Sequence, residues 1–245
     1  MTVAHRLRTL VAAVTAVVLP LALAPAALAD TATPEDPAGP TSHAIDNIYR
    51  AVIGTTMVIF ILVGGWLVYS AIRFRARRGR PIEPPQVHGS SRLEWGWTIV
   101  PILILVGLAG YTFHKLPDVK DAPSDSLVVS VLAQQFQFSY TYGANSGAAQ
   151  GKPPSTATTL VVPENTPVKL EVHSKDVDHD WWVPKLGPKV DAIPGQTTTT
   201  WFQADHTGTY TGQCAEFCGV GHATMAITVK VVTADAWQSY AGGLK

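Results

Sequence analysis

Four regimes of hydrophobic patterning follow one another along the chain. The first is an apolar stretch from Leu10 to about Leu23, preceded by Arg6 and Arg8 and running into Ala27-Leu28-Ala29 ahead of Asp30. A basic flank, a short apolar run and a small-x-small ending predict a secretory signal peptide over residues 1–29, cut after Ala29. Pro20 and Pro25 break this run and set it apart from a membrane span. Residues 30–44 read as a mobile, proline-containing tail. The second regime is two long uncharged segments, Val52 to Ile72 and Trp95 to Phe113. At ~1.5 Å per residue each is long enough to cross ~30 Å of hydrocarbon. They predict a first transmembrane helix over 45–76 and a second over 91–116, kinked at Pro101. The third regime is the polar connector 77–90 between them.

After Leu116 continuous apolar runs give way to period-two alternation. Segments 126–133, 135–142, 158–163, 167–173, 197–203, 208–214 and 224–232 are rich in β-branched and aromatic residues, and turn signals such as Pro163-Glu164-Asn165-Thr166 and Pro194-Gly195 separate them. These predict an antiparallel β-sandwich or barrel over 117–235, with a flexible hairpin loop at 143–157 and a short tail at 236–245. The fold class is thus a two-helix transmembrane hairpin followed by an all-β domain.

Composition agrees: 47% of residues are hydrophobic and 15% charged, against ~25% charged in soluble domains. Net charge is +0, so no global field invites nucleic acid. Charge is nevertheless unevenly placed. Arg73, Arg75, Arg77, Arg78, Arg80 and Arg92 crowd the connector, with Glu83 its only acid. The positive-inside bias puts that connector in the cytoplasm and both chain ends outside, in a multi-pass protein of a prokaryotic plasma membrane. Trp66, Trp95, Trp97 and Tyr111 suit membrane interfaces and need no further role.

Candidate chemistry gathers in CAEFCGVGHATM, residues 214 to 225, which holds both cysteines of the chain. In an oxidising compartment a Cys214–Cys218 disulfide is one reading. The other begins from the neighbours: His222 follows Cys218 by four positions and Met225 comes three later. Two thiolates, an imidazole and a thioether form a ligand set for copper, and small β-sandwich copper sites take a further histidine from an earlier loop. HSKDVDHDWWVP, from His173 to Pro184, supplies candidates. Two thiolates can bridge two copper ions that share one electron.

DVDHDWWVP (176–184), KVDAIPG (189–195) and GTYTGQCAEFCGVGHATM (208–225) together resemble subunit II of cytochrome c oxidase, the bearer of the dinuclear copper centre CuA. The likeness extends to the membrane hairpin, to EWGWTIVP at Glu94 to Pro101 and to the aromatic run at 136–142. It implies a cupredoxin-like Greek-key sandwich outside the cytoplasm. It also implies copper ligation by His179, Cys214, Cys218, His222 and Met225, with Glu216 binding through its backbone carbonyl. The Glu216 side chain would reach a magnesium or manganese ion shared with subunit I. His173 matches no ligand and reads as structural. Glu94, by the same resemblance, stands at the cytoplasmic mouth of a proton channel into subunit I, and Asp191 lies on the floor of the domain facing that subunit.

The resemblance implies an electron relay: electrons from a cytochrome c or similar donor pass through CuA to haem in subunit I. There oxygen is reduced to water with proton translocation, and subunit III and membrane lipid complete the surroundings. Two departures fall on the donor face. Phe136 occupies the place where relatives receive electrons on a tryptophan, and Lys175 stands where relatives carry an acid. Trp181 and Trp182 are alternative aromatic bridges or a hydrophobic cover over the metal. Three competing readings remain at this point. One is the CuA subunit of a nitric oxide reductase of the same superfamily, and another is a membrane-anchored copper-binding or delivery protein. The third is a quinol-oxidase subunit with only a disulfide. A closed set of five side chains and only three methionines argue against open delivery sites. No C-x-x-C-H occurs, so no haem c attachment is expected.

Overall fold

A computed structural model describes residues 36–75, 89–143 and 159–243. The expected signal peptide, most of the basic connector and nearly all of the long hairpin loop lie outside those residues. Helix α1 spans Pro40–Arg73 and α2 spans Ser91–Lys120; both are long and apolar enough to cross a membrane. Their large apolar side chains, among them Phe60, Trp66, Trp97 and Leu103, are exposed in the isolated chain. Such surface is stable only in lipid or against another membrane protein. Pro101 and Pro117 both lie inside α2, which runs on to Lys120 beyond the expected end at 116.

Among the described residues the β domain is a sandwich of nine strands: β1 Leu127–Gln134, β2 Gln137–Tyr142, β3 Thr159–Pro163, β4 Val168–Ser174, β5 His179–Trp182, β6 Val190–Ala192, β7 Thr198–Phe202, β8 Gly208–Cys214 and β9 Ala226–Val232. One sheet has the order β2-β1-β4-β7 and the other β3-β9-β8-β5-β6. Alternation explains most of the layering. In β1 the side chains of Leu127, Val129, Val131 and Ala133 are buried, and in β9 those of Ile227, Val229 and Val231. The expectation of a purely antiparallel sandwich is corrected, since β1 pairs with β4 in parallel and β3 with β9 in parallel. Successive segments cross between sheets here, and that returns a strand beside an earlier one in the same direction. Strands β5 and β6 escape the sequence pattern because they are short and carry Asp180 and Asp191 at matching register positions.

Aromatic side chains fill the core. Trp181 stacks on Phe202 with ring centroids 5.9 Å apart and donates its indole N–H to the Tyr140 hydroxyl at 3.2 Å. The Tyr142 hydroxyl closes a reciprocal pair with Val161, donating to its carbonyl at 2.8 Å and accepting from its N–H at 3.0 Å. The tail expected at 236–245 is instead mostly helix. Helix α3, Ala234–Gly243, lays Trp237 and Tyr240 against Tyr142 with centroids 5.5 and 6.2 Å away.

The tail expected at 30–44 is corrected as well, because its end docks on the sandwich. Ala38 donates its N–H to the Lys185 carbonyl at 2.9 Å, and its carbonyl accepts from Asp205 N–H at 2.9 Å. Thr41, Ser42, Ala44 and Asp46 in the first turns of α1 are buried. A Cβ on Gly39 would stand 1.7 Å from the Gln203 carbonyl oxygen, so only glycine allows this approach.

Candidate metal centre

Three elements bring the copper-type residues together. Strand β5 contributes His179, and its neighbour β8 ends on Cys214, in register with Trp181. The chain then loops through Cys218 and makes a short 3₁₀ turn, His222–Thr224, before Met225 opens β9. Backbone bonds hold this loop shut. Cys214 N–H donates to the Met225 carbonyl at 2.9 Å, Ala215 N–H to Asp180 at 3.2 Å and His222 N–H to Gly219 at 3.1 Å. Gly219 has φ +130°, which suits glycine alone.

The two sulfurs stand 3.9 Å apart and both cysteines are free. His179 Nδ1 lies 3.9 Å from Cys214 Sγ, and His222 Nδ1 lies 3.8 Å from Cys218 Sγ. Met225 Sδ is 3.8 Å from Cys218 Sγ, and the Glu216 carbonyl oxygen is 3.3 Å from Cys214 Sγ. His179, Cys214, Cys218 and Met225 are buried, while His222 is half-buried. The donor set passes a simple fit test. Metal–sulfur bonds of ~2.3 Å let one metal touch two sulfurs up to ~4.6 Å apart, and this pair lies inside that limit. His179, Cys214 and Cys218 also present ligand atoms all within 4.8 Å of one another.

The surroundings tune these groups. His179 Nε2 is 2.9 Å from Asp176 Oδ1, leaving Nδ1 to face the sulfurs; an imidazole oriented by a carboxylate is the usual arrangement behind a metal-binding histidine. Burial alone would raise the Asp176 carboxyl. The N–H groups of Gln135 and Val177 together with His179 outweigh it and hold the group at about 2. Burial, with Cys214 beside it, pushes the Cys218 thiol up to about 11. A metal must therefore displace a firmly held proton there, so loading is easier at higher pH.

Asp180 is buried, and burial together with the Asp191 carboxyl across the β5–β6 pair raises it to about 7. Its Oδ1 has no hydrogen-bond partner among the described residues. The copper-free folded chain thus keeps a proton that the unfolded chain releases near its ordinary pKa of ~3.9. Stability consequently falls as pH rises from about 4 to about 7 and levels off above. Asp180→Asn should remove that slope, read from thermal unfolding of the copper-free protein across this pH range.

The remaining candidates separate. Trp181 is 1% exposed in the core and presents no face to a docking partner, which removes it as a surface electron-acceptance point. Trp182 is half-buried, with Lys189 Nζ 4.6 Å from its ring centroid. Phe136 is partly buried against the metal loop: a Cβ on Gly221 would stand 2.5 Å from its ring. Glu216 is an exposed residue, and Phe217 beside it is 77% exposed with its ring 5.8 Å from that of His222. His173 bonds Thr197 at 3.2 Å and takes no part in the cluster. Glu94 sits exposed in the first turn of α2, where the helix dipole favours a carboxylate, and belongs to no cluster with the sulfur site. Sequence reasoning missed Gln135, whose partners Asp176 and Cys218 lie 41 and 83 positions away, and the orienting role of Asp176, for which its place three positions before His179 was a local clue.

Comparison with known proteins gives the family. Residues 30–114 match the family described as cytochrome c oxidase subunit II, transmembrane domain, and residues 148–232 match its periplasmic domain. Cytochrome c oxidase subunit 2 of Cereibacter sphaeroides is 31% identical over 229 residues, covering 81% of this chain and 74% of that protein. The corresponding protein of Alkalihalophilus pseudofirmus is 32% identical over 217 residues, covering 85% of this chain; the chain spans only 61% of that relative's length. Among solved structures, the periplasmic domain of subunit II of the Bradyrhizobium japonicum cytochrome oxidase aligns at 35% identity with a TM-score of 0.44, covering 49% of this chain and 94% of that domain. With the identity sustained across hairpin and sandwich alike, the chain belongs to the cytochrome c oxidase subunit II family and is a membrane-anchored subunit of that kind of oxidase.

Proposed function

We propose that this protein is the electron-accepting subunit of a respiratory oxidase, holding a dinuclear copper centre between Cys214 and Cys218. The observation that carries this reading is the pair of buried sulfurs 3.9 Å apart, with His179 Nδ1 beside Cys214 and His222 Nδ1 beside Cys218. Met225 Sδ beside Cys218 and the Glu216 carbonyl beside Cys214 supply one weak ligand at each end. When bound, such a copper pair stores one electron shared by two metals with little change in ligand geometry. The protein's share is to keep the site closed. Burial of His179, Cys214, Cys218 and Met225 excludes water, and Asp176 fixes the ring of His179.

The donor is a cytochrome c or similar carrier, the acceptor is haem in subunit I, and oxygen is reduced there; subunit III is a further neighbour. The basic residues Arg73, Arg75 and Arg92 at the connector ends of α1 and α2 support a sandwich facing away from the cytoplasm. The exposed Glu216 carboxylate is placed to reach a magnesium or manganese ion shared with subunit I. Glu94, at the connector end of α2, is placed to feed protons to that subunit. Glu94→Ala should slow turnover while leaving the copper spectrum untouched; normal turnover in the variant would remove this role.

The test of the main reading is the electron paramagnetic resonance spectrum of the copper-loaded full-length protein. Hyperfine splitting from one electron shared by two equivalent coppers is expected. A single-copper pattern, or a Cys214–Cys218 disulfide without copper, would overturn it.

A further inference from the structure

We infer that Gln135 is a positioning residue that locks the two halves of the metal site to one another; this rests on the proposed copper-binding role. His179 belongs to β5, whereas Cys214, Cys218, His222 and Met225 belong to the β8–β9 loop and its ends. Gln135 comes from neither. It lies at the turn of the β1–β2 hairpin, whose strands form the opposite sheet.

Three hydrogen bonds make the link. Gln135 N–H donates to Asp176 Oδ2 at 2.8 Å, and the other carboxylate oxygen, Oδ1, stands 2.9 Å from His179 Nε2. The side-chain Nε2 of the same glutamine donates to the Cys218 carbonyl at 2.7 Å. One residue therefore orients the histidine through Asp176 from its backbone and pins the cysteine loop from its side chain. The loop is shaped to receive it: a Cβ on Gly219 would stand 3.0 Å from Gln135 Nε2. The adjoining Phe136 ring fills the space over Gly219 and Gly221, so the hairpin turn covers the loop as a unit.

The consequence concerns symmetry. An electron is shared equally by two metals only while their two ligand halves are held in matched positions, and Gln135 spans those halves. Without its side-chain donor, the Cys218 peptide is free to turn and the loop shifts relative to His179. Gln135→Leu removes the donor and keeps the backbone N–H. Gln135→Arg places an N–H at the same number of bonds from the backbone and should restore the contact. Gln134→Leu alters the same hairpin without touching the loop.

Each variant should be measured as the full-length protein, in copper-loaded and copper-free forms. In Gln135→Leu the shared hyperfine pattern should become unequal, and copper should be lost to a chelator ~10–100-fold faster, the range typical of outer-shell changes. Copper-free Gln135→Leu should also expose Cys218 to alkylation faster than the parent, a readout that needs no metal. Gln135→Arg and Gln134→Leu should behave as the parent. A Gln135→Leu protein with the parent's splitting, copper loss and alkylation rate would overturn the positioning role and leave the copper centre standing. A parent protein with no shared-electron pattern would overturn the copper centre, and the alkylation rates alone would then decide whether Gln135 pins the loop.

Discussion

On the proposed copper reading, Cys218→Ser is expected to abolish the shared-electron spectrum and with it electron transfer into the oxidase. The substitution keeps size and burial but exchanges a soft, polarizable ligand for a hard one that stays protonated at neutral pH. Cys218 Sγ lies within 3.8–3.9 Å of Cys214 Sγ, His222 Nδ1 and Met225 Sδ. No neighbour can replace it. Affinity for copper should fall well beyond the ~10–100-fold that outer-shell changes cost, and a residual ion would be bound singly by His179 and Cys214. The electron paramagnetic resonance spectrum and copper stoichiometry of the purified variant check both parts. A serine variant that kept two coppers with an evenly shared electron would remove the bridging role of Cys218.

Gly212→Ala should be strongly damaging although it touches no proposed ligand. Gly212 lies in β8 two residues before Cys214, beside the strand that carries His179. A Cβ there would meet the Trp182 carbonyl oxygen at 2.1 Å and Val183 Cγ2 at 2.8 Å. The first obstacle is backbone and cannot rotate away, so β5 and β8 must part. Overpacking of this kind costs about 3 kcal/mol, the upper end of the usual range, which lowers the midpoint of thermal unfolding by roughly 10 °C in a chain of this size. Because the strands that part are those presenting His179 and Cys214, copper retention should drop in the same variant. Calorimetry and copper analysis on one preparation test the link, and an unchanged midpoint would contradict it.

The residues legible in the sequence were those whose type alone announces chemistry. Two cysteines, His222 and Met225 within one short loop suggested a soft-metal site before any geometry, and the period-two pattern marked the strands that frame it. What stayed hidden depends on pairing between distant segments. The β5 strand, His179–Trp182, follows the acidic Asp176-Val177-Asp178 and becomes a strand only because β6 and β8 supply partners on both sides. Trp181 and Trp182 look equivalent as letters. Strand alternation sends Trp181, with His179, into the interior and leaves Trp182 half-buried beside Lys189. Gln135 had no distinguishing neighbour at all, because its partners lie 41 and 83 positions away. The end of the tail misread as mobile failed for the same reason: Ala38 and Gly39 are ordered by Lys185, Gln203 and Asp205, which local composition does not report.

That N-terminal anchorage bears on kinetics. Electron tunnelling weakens exponentially with distance, so a donor site that rocked on a flexible stalk would deliver current in bursts, at a rate governed by its occasional close approaches. Here the stalk is clasped: Ala38 is bonded on one side to Lys185, three residues beyond β5, and on the other to Asp205, beyond β7. Backbone bonds thus tie the start of the membrane helix to the segment that follows the histidine-bearing strand. In the proposed relay such a clasp holds the tunnelling gap fixed, as in a soldered joint, and loosening Gly39 would introduce contact noise without altering either terminal.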